Sequence, residues 1–180
     1  SNVGGNLTVT SGAAAGITDS GTVTVGGNFT ATTDANSGVI NMGTMAVDGS
    51  FTLAPNSTGA VTIVNDAGLT LAASTMGGTF SGTATTGNIT DSGALAITGA
   101  TTLVTSANDA TIVLNTTTNA FTGAVTITTN DSSGTDADVT IDGGTTALII
   151  AASTIDGDLT LTSGHASGIT DSGTVTVGGN

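Results

Sequence analysis

The chain has 180 residues with no Lys, no Arg and 13 acidic side chains, all Asp, for a formal charge of −13. With no cation to neutralise phosphates, nucleic-acid binding is excluded, and the same charge disfavours anionic membrane surfaces. Glu, Gln, Cys, Trp and Tyr are absent while 41 Thr and 28 Gly are present, which removes most strong helix formers, thiol catalysis and disulfides and leaves strand and turn chemistry.

Charged residues make up 7% and mean hydropathy is +0.35, whereas a disordered chain is usually poor in apolar residues and rich in charge, so an ordered all-β protein is expected. No run of about 18 apolar residues is present, which leaves no transmembrane segment by the length criterion for helices.

From the N-terminus, the doublet Gly4–Gly5 recurs as Gly26–Gly27 and again as Asp48–Gly49, at a constant spacing of about 22 residues. Aligned on that period, Leu7, Phe29 and Phe51 form one column, Ile17, Val39 and Val61 a second, and the stretches Gly21 to Val25 and Gly43 to Val47 a third. Each stretch alternates apolar and polar residues, the period-2 signature of a strand with one buried face. Leu7, Val9, Ile17, Val23, Val25, Phe29, Val39, Val47, Phe51 and Leu53 are therefore expected inside, and Thr8, Thr10, Thr22 and Thr24 outside. Gly4, Gly5, Gly26 and Gly27, with Asp19 and Gly21, stand between strands as corners; Gly26–Gly27 is expected to carry at least one positive φ.

After Val61 the stretch to Leu71 carries two more residues than its equivalent at Ile17 to Val25, so loops are expected to swell. Strands follow at Ala94 to Ile97, Thr111 to Leu114, Ala124 to Thr128, Asp138 to Ile141, Ala147 to Ile150 and Asp158 to Thr162. The run AAST occurs at Ala72 and Ala151, and a partial copy of the opening motif, ITDSGALAITG, lies at Ile89 to Gly99. Gly168 to Asn180 then repeats Gly16 to Asn28 letter for letter, offset by 152 residues, and Ile155 to Gly164 echoes Val3 to Gly12 at the same offset. This places Ile169, Val175 and Val177 in the core and Asp171, Gly173, Gly178 and Gly179 at corners, Gly178–Gly179 again with a positive φ. Fixed-offset repetition of this kind marks a solenoid, since one coil cannot bury its inner face alone. The expectation is a parallel β-solenoid (β-helix) of roughly 22 residues per coil. Residues 1–180 would form a single continuous segment of a longer repeat protein, about eight coils and roughly 40 Å long at the ~4.8 Å strand spacing.

The pattern GNLTVTSG followed by GITDSGTVTVGGN resembles the repeats of filamentous haemagglutinin-type adhesins, the secreted proteins of two-partner secretion systems. Asp19–Ser20–Gly21 and Asp171–Ser172–Gly173 match the family's Asn-Ser-Gly corner with Asp in place of Asn. The resemblance implies a right-handed helix and an extracellular or cell-surface fibre or adhesin. Its implied partners are further repeats stacked end to end, laterally associated rods, and surface glycans.

Side chains with chemical potential are few. His165 is the single imidazole, replaces Ala13 of the other copy, and reads as a solvated turn residue without the oriented partner a general base needs. Asp131, Asp136, Asp138 and Asp142 offer hard oxygens for Ca²⁺, but their spacing fits neither an EF-hand nor the Ca²⁺-binding nonapeptide repeat, so no cofactor or metal is expected. Six Asn-x-Ser/Thr sequons occur, at Asn6, Asn28, Asn56, Asn88, Asn115 and Asn130, as chance allows in a Thr-rich chain. The function expected is structural, not enzymatic: a slice of a secreted, acidic solenoid stalk. The rival is a binding module, either a tandem Ig-like array or a carbohydrate-binding solenoid face, with ice binding by the outward Thr pairs behind both.

Overall fold

The computed structural model describes residues 1–130 and 134–179. Every strand pairing is parallel, as stacked coils require and as a tandem array of antiparallel Ig-like sandwiches does not allow. An eight-stranded sheet forms one side of the solenoid, from Leu7–Ser11, Phe29–Thr33 and Ser50–Ala54 through to Val139–Asp142 and Leu159–Thr162. A twelve-stranded sheet forms another, through Ile40–Val47, Val61–Asn65, Phe80–Ala84, Thr101–Thr105 and Val125–Thr128. In the middle coils Ser74–Met76, Leu95–Ile97 and Ala120–Phe121 add a three-stranded third side. The solenoid is thus all-β and parallel, with one core running through it.

The core is built by the alternation read in the sequence. Phe29, Ala31, Phe51, Leu53, Ile63, Leu103 and Ile127 are fully buried, and the intervening Thr and Ser point outward. Phe29 sits beneath Phe51 in register, with ring centroids 5.9 Å apart and planes at 65°, the edge-to-face arrangement that aromatic quadrupoles favour. All four Phe rings are buried.

The column Leu7, Phe29, Phe51 holds at the period read from the Gly-Gly doublets, and so does the pairing of Val23 with Met45 and Val25 with Val47. The second column shifts. Ile17 lies opposite Ile40, and Ile40 opposite Val61, so the inward place expected for Val39 belongs to Ile40, while Val39 is half-buried. The loop before Ile40 is one residue longer than the loop before Ile17, which advances the strand by one position. Nor do the coils swell after Val61. Val61 pairs with Phe80 and Leu69 with Ile89, which makes these coils shorter than the opening ones, and the long excursion comes later, between Ile112 and Val139.

The corner glycines also differ from expectation. Gly26, Gly27, Gly178 and Gly179 do not have positive φ; the described glycines that do are Gly16, Gly134, Gly144 and Gly168. The doublets are glycine because backbones approach there. A Cβ at Gly26 would stand 2.8 Å from the Gly4 carbonyl oxygen, and one at Gly27 would meet the Asn6 carboxamide. Gly59, Gly78, Gly99 and Gly123 form a similar column, each pressed on the backbone of the one before.

Candidate functional site

Polar groups of this chain converge between coils, at the corners. At the first corner the side-chain oxygen of one coil accepts the backbone N–H of the next: Asn28 N donates to Asn6 Oδ1 at 2.8 Å, Ser50 N to Asn28 Oδ1 at 3.0 Å, Thr111 N to Asn88 Oδ1 at 2.9 Å and Asp158 N to Asp138 Oδ1 at 2.8 Å. These bonds satisfy amides that leave the strand ladder where the chain turns.

The Asp of the ITDSG motif makes a stronger version of the same contact. Asp19 Oδ1 accepts from Gly43 N at 3.0 Å, and Oδ2 accepts from Thr44 N at 2.8 Å and Thr44 Oγ1 at 2.6 Å. These donors lie at the register shift between Met42 and Met45, where the bulged strand turns two successive amides toward the coil below. Asp91 repeats the contact, taking Asn115 N at 3.2 Å, Thr116 N at 3.1 Å and Asn119 Nδ2 at 2.7 Å. Partial burial of Asp19 raises its pKa, but the hydrogen bonds from Thr44 and Gly43 outweigh that and hold the carboxyl below the usual value of 3.8. Asp171, the third copy, is exposed and meets no donor among the described residues.

Inside the coils a few buried polar side chains play a similar part. Ser74 Oγ accepts from Leu53 N at 2.9 Å and donates to Ala72 O at 2.8 Å; Ser153 Oγ accepts from Ile127 N and donates to Ala151 O, each at 2.9 Å. These are the two serines of the repeated AAST run. Asn65 Oδ1 accepts from Val47 N, and its Nδ2 donates to the carbonyls of Val47 and Gly68. Local turn rules assign Asp19 to its own corner and give the AAST serines no role, because the partners lie one coil away. The signal is present all the same: the motif Asp is followed 24 and 25 residues later by Gly-Thr or Asn-Thr.

The other singled-out residues are not brought together. His165 is exposed and closes its own turn, its Nδ1 accepting from Ser167 N at 3.0 Å. Asp138 is engaged in the corner ladder, Asp142 Oδ1 accepts from Gly144 N at 2.7 Å, Asp136 is exposed, and Asp131 lies outside the described residues. No group of three or more His, Cys, Asp or Glu that could hold a metal ion occurs among the described residues. Of the core positions, Leu7, Val9, Val23 and Val175 are partly buried, and Ile169 is 42% exposed. The sequon residues Asn6, Asn28 and Asn88 use their side-chain oxygens between coils. Asn56 Oδ1 accepts from Ser37 N, and Asn130 Nδ2 donates to Ser106 O.

No helix of the described residues is long and apolar enough to cross a membrane. A family model described as "Repeats of unknown function (DUF5649)" matches residues 58–128 and 136–180, well over half of the chain. The gap between the two matches falls on the long excursion between Ile112 and Val139. No curated protein and no solved structure matches.

Proposed function

The chain belongs to this family of repeats of unknown function, and from that premise we propose that it is a mechanical spacer: an interior segment of a long, secreted, acidic β-solenoid that forms a surface fibre or adhesin stalk. Its role on this reading is spatial, with no catalysis of its own. The observation that carries the reading is the unbroken ladder. The two long sheets of the solenoid continue from coil to coil by parallel pairing, and the corners add cross-coil bonds to Asn6, Asn28, Asn88 and Asp138, so each coil is held by its neighbours in sequence. Outward positions are mostly Thr, Ser and Asp, a hydrated surface whose negative charge opposes collapse of neighbouring rods. Further repeats of the same protein are its natural axial neighbours.

Immunogold labelling of intact producing cells with antibodies raised against this segment tests the reading. Label on the outer surface or along filaments is expected, and label confined to the cell interior would overturn it.

A further inference from the structure

We propose that Asn115 is an acceptor of N-linked sugar, singled out from the six sequons by the fold. The site adds a covalent modification to the surface of the solenoid, and its failure would leave the spacer reading untouched.

Sequence spacing treats the six Asn-x-Ser/Thr sequons alike, and the structure separates them. Transfer needs a free carboxamide nitrogen on backbone that an enzyme can reach, which is why acceptor sequons belong on surface loops. Asn6, Asn28 and Asn88 stand immediately before strands of the eight-stranded sheet. The middle residue of each sequon, Leu7, Phe29 or Ile89, packs into the core, and the hydroxyl residues Thr8, Thr30 and Thr90 are held in the ladder. Their carboxamide oxygens are taken by the next coil, accepting from Asn28 N, Ser50 N and Thr111 N. Asn56 lies in a loop but is half-buried, and its Oδ1 accepts from Ser37 N at 3.3 Å. Asn130 is exposed, but its Nδ2, the atom that must react, donates to Ser106 O at 2.8 Å, and its sequon runs on into 131–132, outside the described residues.

Asn115 differs on each count. It is exposed, and it opens the turn between the strands Ile112–Leu114 and Ala120–Phe121. Its carboxamide makes no hydrogen bond among the described residues. Thr117, the hydroxyl residue of the sequon, is exposed, as is Thr118 beside it. The backbone of the turn is nevertheless fixed. Asp91 of the neighbouring coil accepts from Asn115 N at 3.2 Å and Thr116 N at 3.1 Å, and Asn119 N donates to Thr116 O at 3.0 Å. Asn119, 1% exposed, anchors the far side of the turn by donating from Nδ2 to the same carboxylate at 2.7 Å. The Asp91 contact therefore holds the backbone of the acceptor and leaves its side-chain nitrogen free.

In the transfer, Asn115 Nδ2 forms a bond to the anomeric carbon of a phosphate-activated sugar. The bond from that carbon to the phosphate oxygen breaks, the phosphate leaves with the electron pair, and one Nδ2 proton passes to the transferase. The backbone bond from Asn115 to Asp91 is untouched by this step. The product places neutral, hydrated bulk on a turn of a chain whose formal charge is −13.

The experiment is mass spectrometry of the protein purified from its producing cells. With no Lys or Arg in the chain, cleavage is made before Asp, which releases residues 109–130 as one peptide. Electron-transfer fragmentation then tells Asn115 from Asn130. A hexose or N-acetylhexosamine increment is expected on Asn115 and on none of the other five sequons. Asn115→Gln and Thr117→Ala should each abolish it, and Thr117→Ser should retain it. A bare Asn115, or sugar on Asn6, Asn28 or Asn88, would overturn selection of this site by the fold. An increment that survives Asn115→Gln would be sugar on a Thr hydroxyl and would overturn it equally.

Discussion

At the scale of single residues, the chain uses polar atoms inside its stack only where they are matched, with one exception among the described residues. Thr101 is 1% exposed, lies between Phe80 below and Val125 above, and its Oγ1 has no partner. Thr101→Val replaces that hydroxyl with a methyl of similar shape and should stabilise the protein by about 1 kcal/mol, measured by urea denaturation. A loss of stability would mean that the hydroxyl is bonded after all. Asp19 provides the opposite case. Its folded pKa lies below the unfolded value of 3.8, so the clamp contributes fully above that pH and is lost as the pH falls through the folded value. Asp19→Asn should therefore be less stable than the native chain at pH 7, with the difference closing towards pH 2. A constant difference across that range would assign the effect to packing and not to the carboxylate.

At the scale of strands and corners, the fixed period between the Gly-Gly doublets and the Val/Thr alternation were enough to place Leu7 beneath Phe29 beneath Phe51, because a period-2 pattern leaves only one face free to be buried. The pattern could not place Val39. A one-residue change in loop length is invisible to alternation when both neighbours, Val39 and Ile40, are apolar. The cross-coil roles of Asp19, Ser74 and Asn65 were likewise hidden, since each partner lies a full coil away in sequence and no local turn rule reaches that far. The doublet glycines looked like dihedral requirements and proved to be contact requirements. That difference is measurable by substitution. Gly27→Val drives a side chain into the Asn6 carboxamide and the Gly5 backbone and should cost about 1–3 kcal/mol, as overpacking does, whereas Gly5→Val, with open space around it, should be nearly neutral. Equal costs at the two positions in thermal unfolding would remove the close-approach explanation.

At the scale of the whole molecule, the coils advance steadily along one axis although they differ in length, the shortest joining Val61 to Phe80 and a much longer one joining Ile112 to Val139. Loop excursions absorb the variation, while the inward columns stay in register. Each coil buries its apolar edge only against the next, so stability is a sum of neighbouring interfaces and the ends are the weakest places. The family match breaks within the long coil joining Ile112 to Val139, between residues 128 and 136, and takes in the rest of it. The most direct measurement is the distance between paired spin labels on outward Thr positions, practicable because the chain has no native Cys. Thr30→Cys would be combined in turn with Thr90→Cys and Thr160→Cys, three and six coils further on by the register of the eight-stranded sheet. A single advancing solenoid gives backbone separations of roughly 15 and 30 Å, doubling with the number of coils. Equal distances for the two pairs, or a shorter one to position 160, would contradict it.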